Sequence, residues 1–148
     1  MAITQVVTSP LLRAVQTATP IASITATRIE VDRCFIDRDY GPWTGHLRAD
    51  LESRFTNLDQ VPDIESRDAL THRVVLAALG LLTAEGTTTM VVAHDAVNRA
   101  ILAALCHNTP PDPSAIPQRT GCWNRIERDE QDIAATVIDA CPGDTQAP

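Results

Sequence analysis

At 148 residues, with 44% hydrophobic and 21% charged side chains, the chain is long enough for one domain with a real core and has an ordinary globular composition. Its formal net charge of −7 argues against nucleic acid or an anionic membrane as the main partner, since both select a basic surface; a locally basic pocket for a small anion remains open. The first five residues lack the cationic and apolar stretch of a signal peptide, and no apolar run approaches the roughly 20 residues of a membrane span, so the cytoplasm is the default location.

Residues 3–8 are short, β-branched and bounded by Ser9-Pro10, which predicts a strand. Ser9 suits an N-cap and Pro10 a first helical position, so a helix is expected over residues 10–23, kinked or ended near Thr19 by Pro20. Residues 27–33 alternate like a second strand, residues 34–45 form a Gly/Pro-containing loop, and residues 47–55 can make a short helix. The longest helix is expected over residues 65–85, with Leu70, Val74, Ala77, Ala78, Leu81 and Leu82 on one face and Gly86 as its stop. The apolar run 88–93 predicts a strand buried on both faces. A helix over 96–105 follows, with Asp95 as an alternative N-cap and Arg99 turned to solvent. Then come a loop with four prolines over 108–117 and two strands at 122–128 and 133–140, joined by a hairpin turn. Trp123 reads as core or pocket wall, and residues 142–148 as a frayed tail after one domain spanning 1–141.

Strand, helix, strand, long helix, strand, helix and hairpin indicate a three-layer α/β/α sandwich with a mostly parallel sheet and a C-terminal antiparallel strand. Such sheets bind ligands at the carboxyl ends of their strands, where both Ser9 and His94 fall. Cys34, Cys106, Cys122 and Cys141 have neither C-x-x-C nor zinc-ligand spacing and read as reduced thiols, so no metal or organic cofactor is implied.

Three segments carry candidate chemistry. In Thr8-Ser9-Pro10-Leu11-Leu12-Arg13, an arginine lies one turn into a helix that starts at a strand end, a place where backbone N–H groups, the helix dipole and a planar guanidinium favour an anion. On geometry alone the reading as a solvated helix arginine is the stronger one. In Val91-Val92-Ala93-His94-Asp95, a histidine between strand and helix can donate to a bound oxyanion or be a satisfied core histidine. The loop Asp37-Arg38-Asp39-Tyr40-Gly41-Pro42-Trp43-Thr44-Gly45 gathers two carboxylates, an arginine and two aromatics; a carboxylic acid there can protonate a leaving group if its pKa is raised.

Taken together and in this order, the segments resemble one family. TSPLLRAVQTA is similar to the S-P-L-x-R-A-x-Q-T-A motif of the histidine phosphatases, the phosphoglycerate mutase-like superfamily. DRDYGPWTG resembles their acidic loop, VVAHDAVNRAIL their second-histidine segment, and Glu65-Ser66 the Gly-Glu-Ser start of a long helix. The resemblance implies phosphoryl transfer through a phosphohistidine in a pocket of two histidines and two arginines. It implies that Arg13 and His94 hold the phosphoryl group and that Asp37, or else Asp39, is the proton donor. Ser9, Arg38 and Trp43 are further substrate-binding candidates. The expected partner is a small phosphorylated substrate or inorganic phosphate.

The resemblance also has a gap. The family's nucleophile sits in Arg-His-Gly at the end of its first strand, and this chain, whose histidines are His46, His72, His94 and His107, contains no such tripeptide. The reading is therefore of a family member truncated at its N-terminus, without the first family strand, whose two exposed inner edges would each leave polar groups unpaired at about 1–3 kcal/mol apiece. Marginal stability, aggregation, or closure of the gap by pairing residues 88–93 with 122–128 is expected. The short stretch from Gly45 to His94 favours a phosphatase of small phosphomonoesters over a mutase; the alternatives are a non-catalytic phosphate-binding module and an inert gene fragment.

Overall fold

The computed structural model describes residues 2–84 and 86–144, with backbone only at Arg48 and Glu52. Three strands, β1 (Gln5–Thr8), β2 (Ile29–Val31) and β3 (Thr89–Val92), form a parallel sheet in the order β2-β1-β3. Two more, β4 (Trp123–Arg128) and β5 (Ile133–Ala140), form a separate antiparallel hairpin. The helices are α1 (Leu12–Thr25), α2 (Arg48–Arg54), α3 (Arg67–Leu82) and α4 (Asp95–Leu105). The chain is thus a mixed α/β fold with a mostly parallel sheet and a C-terminal antiparallel pair.

The period-two alternation of strands builds the layers. Val6 faces α1, where it packs with Ala18 and Ala22, and the neighbouring Met90 and Val92 of β3 join that side. Val7 and Val91 face the opposite side, against Leu70, Val74 and Ala78 of α3 and Val97, Ala100 and Ile101 of α4. A third cluster, Leu102, Cys106, Ile116 and Ala135, ties α4 to the hairpin. With almost no aromatic side chains, close approach of α1 to the sheet falls to alanines.

Several elements depart from the sequence reading. Helix α1 starts two residues after Pro10, with Leu11 as an N-cap that makes no side-chain bond, although the Ser9 hydroxyl accepts the Leu11 N–H at 3.3 Å. Pro20 neither ends nor truncates α1. The apolar contacts of Ala18 and Ala22 straddle it, and the helix closes at Ala26, in the left-handed region at φ 53°, with its N–H and that of Thr27 returning to Ser23 and Ala22 carbonyls. Helix α3 is shorter than expected: the Ser66 side chain caps it through the Ala69 N–H, and Thr83, not Gly86, is its C-cap.

Strand β3 is half-buried along its length instead of fully buried, because β1 is its one strand partner among the described residues. The anticipated pairing with residues 122–128 does not form; β4 pairs with β5. Trp123 is 41% exposed, since alternation along β4 puts it on the outward face with Arg125 and Glu127. Arg99 is not turned to solvent: its guanidinium bonds the Asp95 carboxylate one helical turn back and the Ile116 carbonyl, holding the proline-rich loop to α4. Asp95 is the first residue of α4 and His94 its N-cap. Of the expected tail, Asp144 is tied to Arg119 at 2.7 Å and to the Cys141 N–H at 2.8 Å, and residues 145–148 lie outside the described residues. All four cysteines are free thiols.

Candidate active site

The parallel sheet delivers its loops to one edge. Ser9 follows β1, His94 follows β3, and Asp37 lies in the loop after β2. The sheet register brings Thr8 opposite Val92, so the next residues out, Ser9 and the Ala93-His94 step, leave the sheet side by side. Arg13 reaches the same place from the first turn of α1.

The Asp37 carboxylate is the meeting point. Its Oδ2 accepts a bond from Arg13 Nη2 at 2.7 Å and lies 3.6 Å from His94 Nδ1. Its Oδ1 accepts the Arg38 N–H at 2.9 Å, which fixes the rotation of the group. The far side of the imidazole is held too: Nε2 is 2.8 Å from the buried Ser9 hydroxyl. Because that hydroxyl oxygen already accepts the Leu11 N–H, its own proton is free to point at Nε2. A neutral imidazole protonated on Nδ1, the nitrogen on the Asp37 side, then lets Nε2 accept from Ser9.

Electrostatics favour that neutral form. His94 is 8% exposed, and burial lowers its pKa below the usual 6.5; the Asp37 carboxylate opposes this, while Arg13 and Arg73 add to it. At neutral pH the site therefore combines an uncharged imidazole with an internally compensated Arg13–Asp37 pair.

Other candidates lie elsewhere. Asp39 is engaged in local structure: its Oδ1 accepts the Gly41 N–H at 2.7 Å, and its backbone pairs with Glu65. Arg38 is buried and directs its guanidinium to Asp59 Oδ1 at 2.6 Å and to the Glu65 carbonyl at 2.7 Å. With Tyr40, Phe55, Arg67, Arg99 and Ser114 it lines a cavity of about 320 Å³ between the acidic loop, α3 and α4. Trp43 packs edge-on against Phe55 and His46 with ring centroids 5.3 and 5.5 Å apart. The structure thus brings together Ser9, Arg13, Asp37 and His94, and does not bring Arg38, Asp39 or Trp43 onto the imidazole.

Two residues that the sequence reading left without a role stand directly behind the cluster. Arg73 and Glu65 form a paired fork, Nε to Oε1 at 2.7 Å and Nη2 to Oε2 at 2.9 Å. Burial pushes the Glu65 carboxyl up, but Arg73, the Asp39 N–H and nearby Arg38 outweigh it and hold its pKa below 4.5. Glu65 precedes the Ser66 cap of α3 and Arg73 lies eight positions further on, outside the i,i+4 spacing that marks helical neighbours, so their pairing is a tertiary contact.

The remaining histidines lie apart: His46 against Trp43, His72 exposed on α3, and His107 bonded to the Ile133 carbonyl and Asp132. No second imidazole faces His94 among the described residues. Among them too, no group of three or more His, Cys, Asp or Glu side chains is arranged to hold a metal ion, and no helix is long and apolar enough to cross a membrane.

Arg13, His94 and Asp37 are thus gathered at the carboxyl edge of a parallel sheet, the edge at which such sheets bind ligands. The model of the histidine phosphatase superfamily, branch 1, matches residues 1–139, and the chain belongs to that superfamily. Among solved structures, a mycobacterial glucosyl-3-phosphoglycerate phosphatase is similar with a TM-score of 0.77 at 21% identity, over 94% of this chain and 78% of its own. Further structures of that phosphatase hold inorganic phosphate and VO3. YhfR of Bacillus stearothermophilus is similar with a TM-score of 0.79 at 21% identity, over 91% of this chain and 73% of its own. No curated protein matches the chain in sequence.

Proposed function

We propose that Arg13, His94 and Asp37 form the phosphoryl-binding part of a phosphatase site for small phosphomonoesters, and that these 148 residues bind phosphate without turning substrate over. The observation that carries the reading is the convergence of Arg13 Nη2 and His94 Nδ1 on one oxygen of Asp37, from three segments separated by up to 81 positions in the chain. Family membership supports a phosphatase function, and the complexes of the mycobacterial relative with phosphate and VO3 support an oxyanion as the ligand.

In this reading the guanidinium of Arg13 takes two phosphoryl oxygens and His94 donates from Nδ1 to a third, so that charge developing on the phosphoryl group meets fixed donors. Asp37, displaced from Arg13 by the anion, is the acid beside the leaving oxygen. Ser9 keeps the imidazole in the tautomer that donates. The step that the described site does not supply is nucleophilic attack, which in the family falls to the histidine of Arg-His-Gly, a tripeptide this sequence does not contain. Cytoplasmic residence belongs to the same reading.

The test pairs binding with turnover. The chain is expected to bind inorganic phosphate and vanadate at one site and to leave p-nitrophenyl phosphate unhydrolysed. Arg13→Ala and His94→Ala each weaken binding by about 10- to 100-fold, the loss of one charge-assisted contact of roughly 1.5–3 kcal/mol. Hydrolysis that survives both substitutions would falsify the assignment. The reading as a non-catalytic phosphate-binding module shares this binding site and predicts the same binding without turnover.

A further inference from the structure

The acidic loop is short and irregular, yet its Asp37 carboxylate is set 2.7 Å from Arg13 Nη2 and 3.6 Å from His94 Nδ1. Its own fold does not do this. The loop has one 3-10 turn at Arg33–Phe35 and a second at Gly41–Trp43, and Asp37 lies between them in neither.

What holds the segment is the start of α3. Four bonds leave the Arg73 guanidinium. Nη1 donates to the Cys34 carbonyl at 2.7 Å, Nη2 to the Asp37 carbonyl at 3.1 Å and to Glu65 Oε2 at 2.9 Å, and Nε to Glu65 Oε1 at 2.7 Å. Glu65 extends the grip: its Oε2 accepts the Asp39 N–H at 3.2 Å and its own N–H donates to the Asp39 carbonyl at 2.8 Å. Residues 34, 37 and 39 are therefore each bonded to this one pair. With the Asp37 backbone fixed and its Oδ1 taken by the Arg38 N–H, Oδ2 has a single direction left, toward Arg13 and His94.

We propose that Arg73 and Glu65 are positioning residues that clamp the acidic loop and thereby set the Asp37 carboxylate against Arg13 and His94. The assignment rests on reading that cluster as the phosphate site. Neither residue bonds Arg13 or His94, so the clamp acts through Asp37. The fork is what matters: lysine carries the same charge from a single point and cannot span two carbonyls and a carboxylate at once.

The test uses the whole 148-residue chain with the His94 ring followed by NMR as pH is varied. The groups that face His94 are Ser9, Asp37, Arg13 and Arg73, and the variants are chosen to separate them. Asp37→Asn removes the carboxylate that supports the protonated ring, so the His94 pKa falls. Arg73→Lys keeps the charge but releases the loop, and is expected to lower the His94 pKa by at least about half a pH unit, a small fraction of a close ion-pair interaction. In an Asp37→Asn background, Arg73→Lys is then expected to produce no further shift, because lysine keeps the charge that acts directly on His94 and the positioning route through Asp37 is gone.

An Arg73→Lys protein whose His94 titrates as in the unaltered chain, or one shifted equally with and without Asp37, overturns the proposal; a side chain needed only for stability would lower Tm and give one of those two results. Should Arg73→Lys not fold, Glu65→Gln, which keeps the shape of the clamp and weakens it, carries the same comparison with a smaller shift expected. Sulfate added to the unaltered chain separates the two ideas. If sulfate leaves His94 unmoved, the phosphate reading fails, while the variant comparison still decides the clamp.

Discussion

Strands β1 and β3 are neighbours of equal length, and each leads into a residue of the candidate site, yet they live under different conditions. β1 is paired on both sides and its Val6, Val7 and Thr8 are 0–1% exposed. Among the described residues β3 is paired on one side, and it is half-buried throughout, although its sequence, Thr-Met-Val-Val, is as apolar as an interior strand. The contrast shows that composition fixes what a strand can tolerate, while its neighbours fix what it receives. It also means that the two halves of the site have unequal support: Ser9 leaves a locked strand, His94 an edge.

The largest expected effect comes from placing a charge on each strand. Val7→Asp buries an unpaired carboxylate between β1 and the α3/α4 layer and should cost more than about 4 kcal/mol, enough to abolish the cooperative unfolding transition, whereas Val91→Asp on the half-buried strand should cost markedly less. Equal losses, measured by urea denaturation, would erase the distinction. An apolar strand with an open edge is also a template for association, so the chain should aggregate at concentrations where a lysine or proline substitution on the outer edge of β3 keeps it monomeric.

Ser9→Ala comes next. It leaves the Leu11 N–H and His94 Nε2 without their shared partner and is expected to cost about 1–3 kcal/mol, and it should raise the His94 pKa because the hydroxyl supports the neutral ring. Unchanged stability and an unchanged His94 titration would show that the bond carries nothing.

The pH dependence is smaller and has a definite sign. His94 has a folded pKa below 6.5, so the unfolded chain binds more protons than the folded one as pH falls through that value. Its contribution is complete above about pH 6.5 and is progressively lost below it; Glu65, also lowered, contributes above 4.5 and is lost as pH falls further. A Tm that rises between pH 7 and 5.5 would contradict the His94 assignment. Smallest of all, amides of β3 turned away from β1 should exchange with solvent faster than those of β1, readable by hydrogen exchange.

Much of this was legible in the sequence because it depends on chain order and periodicity. The strand–helix alternation implies a parallel sheet, and the carboxyl-end rule puts Ser9 and His94 at one edge of it. Local chemistry could not choose between Asp37 and Asp39, which differ by two positions and one loop turn; the structure gives the first to His94 and the second to Gly41. Arg38 and Trp43 looked equally functional, but each satisfies a partner that sequence spacing does not announce, Asp59 in one case and Phe55 in the other. Arg73 was invisible for the same reason, its carbonyl partners lying 36 and 39 positions away. Pro20 shows the converse: a strong local signal overruled by alanine packing on both sides of it.

A phosphate-binding role requires the Arg13, Asp37 and His94 cluster to behave as an anion site. The direct measurement is the pKa of the His94 ring by NMR with and without saturating sulfate, an anion whose own charge is constant between pH 5 and 8. A bound sulfate that replaces Asp37 on Arg13 and accepts from the ring must raise the His94 pKa, and must do so in the unaltered chain and not in Arg13→Ala. A His94 titration that is identical with and without sulfate would contradict it.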